Sequence, residues 1–190
     1  MINVVKDLRT QAIDAAFAEY DNTGEVSMRK TGATLGVSAA ALYHHFKNKQ
    51  DLLNAVAERA FGAFEQRLRG VHKGNPAQTI HGIFSEYRSF AEDHPNLFGL
   101  LFVEPRPSAR KFPRDFAAHR SAVFNLLWKA VEDLVSDNAD GTSDEALYLA
   151  HDLWALAHGH VLLSRAGRFE DRNSFEQTMT RAIDHFISTL

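Results

Sequence analysis

Between Ser27 and Leu53 the chain reads as two short helices joined around Gly36, then a tight break and the start of a long helix. Ser27 is a good N-cap for the first of these helices, and Gly36 is a good C-terminal stop. Ser38 caps the second, in which Ala39, Ala40, Ala41 and Leu42 are strong helix formers. Asn48 caps the long helix, and Asp51 sits in its first turn, where the helix dipole favours an anion. Two short helices joined around a glycine make a helix-turn-helix, whose second helix can enter the major groove of DNA.

The rest of the chain is helical in pattern, and the expectation is an all-α fold of about nine helices. A first helix is expected from about Val4 to Tyr20, with Leu8, Ile13 (or Ala12), Ala16, Phe17 and Tyr20 at helical spacing. Asp21 to Gly24 is a loop signal. The long fourth helix continues through Val56, Ala60, Phe64 and Leu68 to Gly70, and residues 72–76 form the clearest break. A fifth helix is expected over about 76–93, ended by Pro95, because the residue before proline avoids the α region. Residues 96–103 read as a short helix and 104–113, with three of the five prolines, as a loop. A helix over about 114–136, a turn at 137–141, a helix from a Thr142–Glu145 capping box to about Ala166, and a last helix capped by Ser174 complete the pattern. The expected division is a helix-turn-helix domain over residues 1–50 and a helical effector-binding and dimerisation domain over 51–190.

Length and composition bound the possibilities. A chain of 190 residues suits one large domain or two small ones sharing a core. No apolar run approaches the length of a membrane span, so no membrane partner is expected. With no cysteine, disulfides, thiol catalysis and cysteine-ligated zinc are excluded, and the composition fits a cytoplasmic location. The net charge is −3, and residues 1–55 hold six Lys/Arg against six Asp/Glu. Any attraction to DNA must therefore come from local placement of basic residues.

The third helix supplies that placement. Ala39, Ala40 and Ala41 keep its outer face small, so that its backbone can sit deep in a groove. Small apolar side chains contact thymine methyls, while Tyr43 and His44 reach phosphates or base edges. Leu42 and Phe46, four residues apart, are expected to pack against the first helix, and His45 is expected in the bundle core. Gly36-Val37-Ser38, Leu42-Tyr43, His45-Phe46, Lys49 and Asp51-Leu52-Leu53 resemble the DNA-binding domain of tetracycline-repressor (TetR) family regulators, over about residues 8–56. The resemblance implies that Ser38, Ala40, Tyr43 and His44 face DNA and that Lys49 contacts a phosphate. Arg29 and Lys30 are expected on the sugar-phosphate backbone, and Ser27, Ala39 and Lys47 complete the candidate interface. Gly32 stands where the family usually has alanine, and glycine there costs about 1 kcal/mol, which bears on the rigidity of the second helix.

Twelve of the fourteen phenylalanines lie beyond residue 60. Phe84, Tyr87, Phe90, Phe98, Phe102, Phe124 and Trp128 are candidates to line an apolar effector pocket, with Tyr87, His119 or His158 as polar handle. Plain core is the alternative for each ring. Trp154-Ala155-Leu156-Ala157-His158-Gly159 resembles the Trp-x-x-x-His-Gly signature of one group of TetR-like C-terminal domains. Gly159 lies mid-helix, where glycine is costly unless another surface approaches closely. The resemblance places a homodimer interface on the last two long helices. His151 and His158 share a helix face, but no H-E-x-x-H or comparable spacing is present, so neither a metal nor another cofactor is expected. The reading is a ligand-responsive, sequence-specific regulator, a repressor released by a small apolar effector, that binds double-stranded operator DNA as a homodimer and has no catalytic residues. The alternative is a helical metal-dependent or histidine-based enzyme.

Overall fold

A computed structural model describes residues 7–71, 74–136 and 143–190. Among the described residues there are ten α-helices, one π-helical turn and no strand. The chain divides into two compact units, residues 1–64 with 90–109, and residues 65–89 with 110–190. Two of the divisions fall inside long helices and the third in the segment between residues 103 and 114.

The first unit contains α1 (Leu8–Thr23), α2 (Met28–Leu35), α3 (Ala39–Tyr43), most of α4 (Lys49–Leu68), α6 (Pro95–Phe98) and the π turn Gly99–Val103. Helix α1 begins one turn later than its periodicity suggested, because Asp7 caps it by accepting from Thr10 N–H at 2.7 Å. Val4 to Lys6 lie outside the described residues. Its buried residues are the small Ala12 and Ala16 with Tyr20. Leu42, Phe46, Leu52, Val56 and Phe64 of the same unit are also nearly inaccessible to solvent. The segment after α5 packs onto α1. His94 Nδ1 meets Asp21 Oδ2 at 2.8 Å, Asn96 Nδ2 donates to the Asp21 carbonyl, and Tyr20 OH donates to Glu104. Burial, together with the nearby Glu104 carboxylate, pushes the Tyr20 phenol up to about 12.

The second unit contains most of α5 (Pro76–Asp93), α7 (Arg114–Ala117), α8 (Ala122–Ser136), α9 (Ser143–Arg165) and α10 (Arg172–Ile187). Helix α9 packs against α7, α8 and α10. Ile80, Phe84, Tyr87, Phe124, Trp128, Val131, Leu153, Ala157, Phe175 and Ile183 are buried in it. Gly82 has a packing reason invisible in its own helix: a Cβ there would run into the Val71 side chain.

Three expectations about the elements need correction. The helix expected over 114–136 is interrupted at residues 118–121, which is why ten helices stand where nine were expected. The interruption wraps around Asp115, whose side chain is 8% exposed. Its carboxylate accepts from Arg114 and the Lys111 N–H, which hold it down to about 2, and also from Arg120. Arg120 N–H closes the turn on the Asp115 carbonyl. The last helix is capped by Asp171, which accepts from Ser174 N–H at 2.7 Å, so Ser174 is the third helical residue and not the cap. The short helix over 96–103 changes register at Gly99 into the π turn. The turn at 137–141 and the Thr142 half of the capping box lie outside the described residues.

Candidate nucleic-acid interface

Both short helices form as their caps dictate. Ser27 Oγ accepts from Lys30 N–H at 3.5 Å, and Gly36 ends α2 with φ +70°, a left-handed conformation that glycine adopts freely. Ser38 Oγ accepts from Ala41 N–H at 3.2 Å. Asn48 Oδ1 accepts from Asp51 N–H at 2.9 Å, while Asp51 Oδ2 accepts from Lys47 N–H at 3.0 Å. That reciprocal pair fixes the break between α3 and α4 and satisfies donors that the start of a helix leaves open.

Gly32 is the pivot of the motif. The Val37 N–H donates to its carbonyl at 2.9 Å, and a Cβ on Gly32 would lie 2.8 Å from the Val37 carbonyl oxygen. The absent methyl is what lets the turn close against α2, so the expected loss of rigidity is replaced by a steric requirement. Thr31, fully buried beside it, donates its hydroxyl to Glu19 on α1. Glu19 also stands 4.0 Å from Lys30 Nζ. Sequence spacing gave no signal for this Glu19–Thr31 link, because the two residues are brought together only by the crossing of α1 and α2.

The candidate side chains share one property. Arg29, Lys30, Ser38, Ala40, Tyr43, His44, Lys47 and Lys49 are all exposed, and Ser27 and Ala39 are partly so. Tyr43 is 54% exposed, unusual for a large ring, whereas its neighbours Leu42 and Phe46 are buried. Phe46 receives the Arg9 guanidinium of α1 over its ring at 5.3 Å, which agrees with packing against the first helix. His45 was expected in the core but is exposed. At its position the chain has already left α3, with His45 N–H bonded to the Leu42 carbonyl, so helical periodicity no longer governs where the ring points. The result is a surface of small, basic and aromatic groups on a rigid, internally bonded turn. Such a surface can approach phosphates and base edges.

The family model described as bacterial regulatory proteins, tetR family, matches residues 13–56. That for the tetracyclin repressor-like C-terminal domain matches residues 80–186, more than half of the chain. The chain belongs to the TetR family. It is a helix-turn-helix DNA-binding transcriptional regulator. It is similar to an HTH-type transcriptional regulator of Mycobacterium tuberculosis, Rv0681, with 28% identity over 166 residues, 86% of this chain and 72% of that one. Other curated relatives are matched over 117 residues, which span 45% of their length. Among solved structures it resembles the transcriptional regulator FadR from Bacillus subtilis in complex with stearoyl-CoA, with TM-score 0.68 and 16% identity over 95% of this chain and 98% of that one. It also resembles BioQ with its double-stranded DNA operator, with TM-score 0.61 and 20% identity over 96% and 99% of the two chains. These structural likenesses establish a TetR fold.

The aromatic residues expected to line an effector pocket are distributed over the two compact units. Phe90, Phe98 and Phe102 belong to the first unit, where they pack with Phe61 and Phe64 at ring separations of 4.9–6.0 Å. Phe84, Tyr87, His119, Phe124, Trp128 and His158 belong to the second. Phe84 lines a groove of about 310 Å³ between α5 and α10, with His81, Arg88, Phe175, Met179 and Ile183. Tyr87 and His158 bond to each other, phenolic oxygen to Nδ1, at 2.7 Å. The Trp154 side chain also hydrogen-bonds to Tyr87. With Nδ1 accepting the phenolic proton, the neutral ring carries its own proton on Nε2. Burial pushes the Tyr87 phenol far up and holds the His158 imidazole below its ordinary value. The Trp-x-x-x-His spacing thus places an indole and an imidazole one turn apart on α9, both closing on one phenol of α5. Among the described residues no group of three or more His, Asp or Glu is placed to hold a metal. The His151 ring packs tilted against that of Phe112, 3.9 Å between centroids with 30° between planes.

Proposed function

We propose that the protein is a homodimeric repressor that binds a palindromic DNA operator through Ser27, Arg29, Lys30, Ser38, Ala39, Ala40, Tyr43, His44, Lys47 and Lys49. The observation that carries the proposal is the exposed run Ala40, Tyr43, His44, Lys47 and Lys49 above a buried Leu42–Phe46 anchor. Among these residues Lys47 and Lys49 position the chain on phosphates, and Ala40 and His44 read bases. Lys30 contributes less, because Glu19 shares its charge.

The dimer supplies two recognition helices for successive major grooves about 34 Å apart. Gly159 supports a partner on α9: among the described residues nothing beyond its chain neighbours and local helix backbone lies within 4 Å of a Cβ placed there, and Tyr148 and Leu163 are exposed on the same helix. A small effector bound in the second unit, near Tyr87, His119, Phe124, Trp128 and His158, favours a conformation in which the two helices no longer match the grooves. That the similar FadR was solved with stearoyl-CoA supports a ligand-responsive reading. The protein acts in the cytoplasm and not as an enzyme. No helix among the described residues is long and apolar enough to cross a membrane.

Salt titration of duplex binding tests the proposal. With few phosphate contacts per subunit, log affinity falls linearly with log salt, by about 0.9 per phosphate neutralised. Binding indifferent to salt, or confined to single strands, contradicts it.

A further inference from the structure

One buried patch of the second unit has polar atoms without partners. The Nε1 of Trp128 and the Oδ1 of Asn125 are both buried, and among the described residues neither has a hydrogen-bond partner. They sit three residues apart on α8, hence on neighbouring positions of one helix face. The same two residues hold one element in place, the interruption at His119. The Asn125 Nδ2 donates to the His119 carbonyl at 3.0 Å, and the His119 ring lies flat on the Trp128 ring, 4.5 Å between centroids with 9° between planes.

His119 is also the one non-glycine residue with positive φ among the described residues, at +54°. A left-handed backbone costs a histidine energy that tertiary contacts must offset. His119 itself is exposed, whereas Trp128 beneath it is 7% exposed. An exposed imidazole in a costly conformation therefore covers a buried indole, at a spot where one donor and one acceptor are unsatisfied. Leaving such groups unpaired is expensive, so a group that pairs both gains what the protein alone forgoes.

We propose that Trp128 is the stacking platform of a binding site for an aromatic carboxamide, and that His119 is the lid which occupies it here. The ligand ring takes the place of the imidazole over the indole. Its carboxamide, carried on one methylene so that it can turn down over the indole edge, accepts from Trp128 Nε1–H and donates to Asn125 Oδ1. A stacked ring alone cannot reach the indole N–H, which lies in the indole plane, and this sets the requirement for a short flexible link. The proposal rests on the reading that the second unit admits a small molecule, but its test reads binding at one N–H group and not release of DNA. Failure of the site and failure of the effector mechanism are thus separate results.

The probe is 1-naphthaleneacetamide, titrated into the full chain while the two indole N–H resonances are followed by NMR. Trp128→Phe assigns which is which. The site predicts a saturable downfield shift of the Trp128 N–H, with Trp154 unmoved. 1-Ethylnaphthalene, which has the ring but not the amide, produces no downfield shift. His119→Gly removes the lid while glycine keeps the φ of +54° without strain. It should bind the amide about tenfold more tightly, because the covered state no longer competes. An unchanged Trp154 resonance reports that the fold of this variant is intact. No saturable shift in either protein, equal affinity for the two naphthalenes, or no gain from His119→Gly overturns the proposal.

Discussion

The helix-turn-helix and the C-terminal aromatic set differ in the reach of the interactions that shape them. In the first, Ser27, Gly36, Ser38 and Asn48 each act within three residues of their own position, as caps or as a left-handed stop. Such interactions are written in the local sequence, and the exposed residues between them follow. In the second, Phe84 and Phe98 are fourteen residues apart and fall in different compact units. An apolar ring states that it will be buried and not against what. Residue type fixes burial, whereas partnership across helices is fixed by packing.

The comparison sharpens at Gly32, where the largest effect is expected. Helix propensity says that Gly32→Ala should stabilise α2 by about 1 kcal/mol. The 2.8 Å approach of a Cβ to the Val37 carbonyl says that the turn must open, at a cost of roughly 1–3 kcal/mol as in other overpacked sites. Denaturation of Gly32→Ala decides by sign, and operator binding should fall with stability. A stabilised variant that still binds would show the turn to be yielding.

Gly159 tests the same question in the C-terminal region. Since among the described residues a Cβ there meets nothing within 4 Å beyond its local helix backbone, Gly159→Leu should raise helix stability while weakening the dimer. The expected gain is up to about 1 kcal/mol on the propensity scale. Analytical ultracentrifugation beside thermal melting separates the two. An intact dimer places Gly159 in solvent.

Tyr87→Phe removes a hydroxyl that serves two neighbours and should cost about 1–3 kcal/mol. The accompanying pH dependence has a definite sign. His158 is held below its ordinary value of 6.5, so the folded state binds fewer protons than the unfolded. Its contribution is present above about pH 6.5 and is lost as pH falls below that value. Urea midpoints at pH 7.5 and 5.5 should differ less in His158→Gln than in the wild type. Equal slopes would assign the pH dependence elsewhere.

The smallest effect belongs to the surface. Lys49→Ala should weaken binding to all duplexes alike and make the salt slope shallower by about 0.9. A changed sequence preference with intact non-specific affinity would invert its role.

These cases locate the limits of sequence reading. The all-α class, the caps of α2 and α3, the Leu42–Phe46 anchor and the span of α5 were legible, because each follows from local chemistry or from one helical period. The Asp115 wrap that splits the expected 114–136 helix was not, since it depends on Arg114, Arg120 and the Lys111 backbone converging on one carboxylate. His45 lies past the end of α3, where helical periodicity no longer sets burial. The Tyr87–His158 bond spans 71 residues, and no spacing rule reaches so far.

The central claim is that the exposed face of residues 40–49 reads duplex DNA. Selection of bound genomic fragments by the purified wild-type protein and by His44→Ala tests it directly. The account predicts an inverted repeat for the wild type and a repeat altered at the same position of each half-site for the variant. Recovery of no common sequence by the wild type, or of the identical repeat by both proteins, would contradict it.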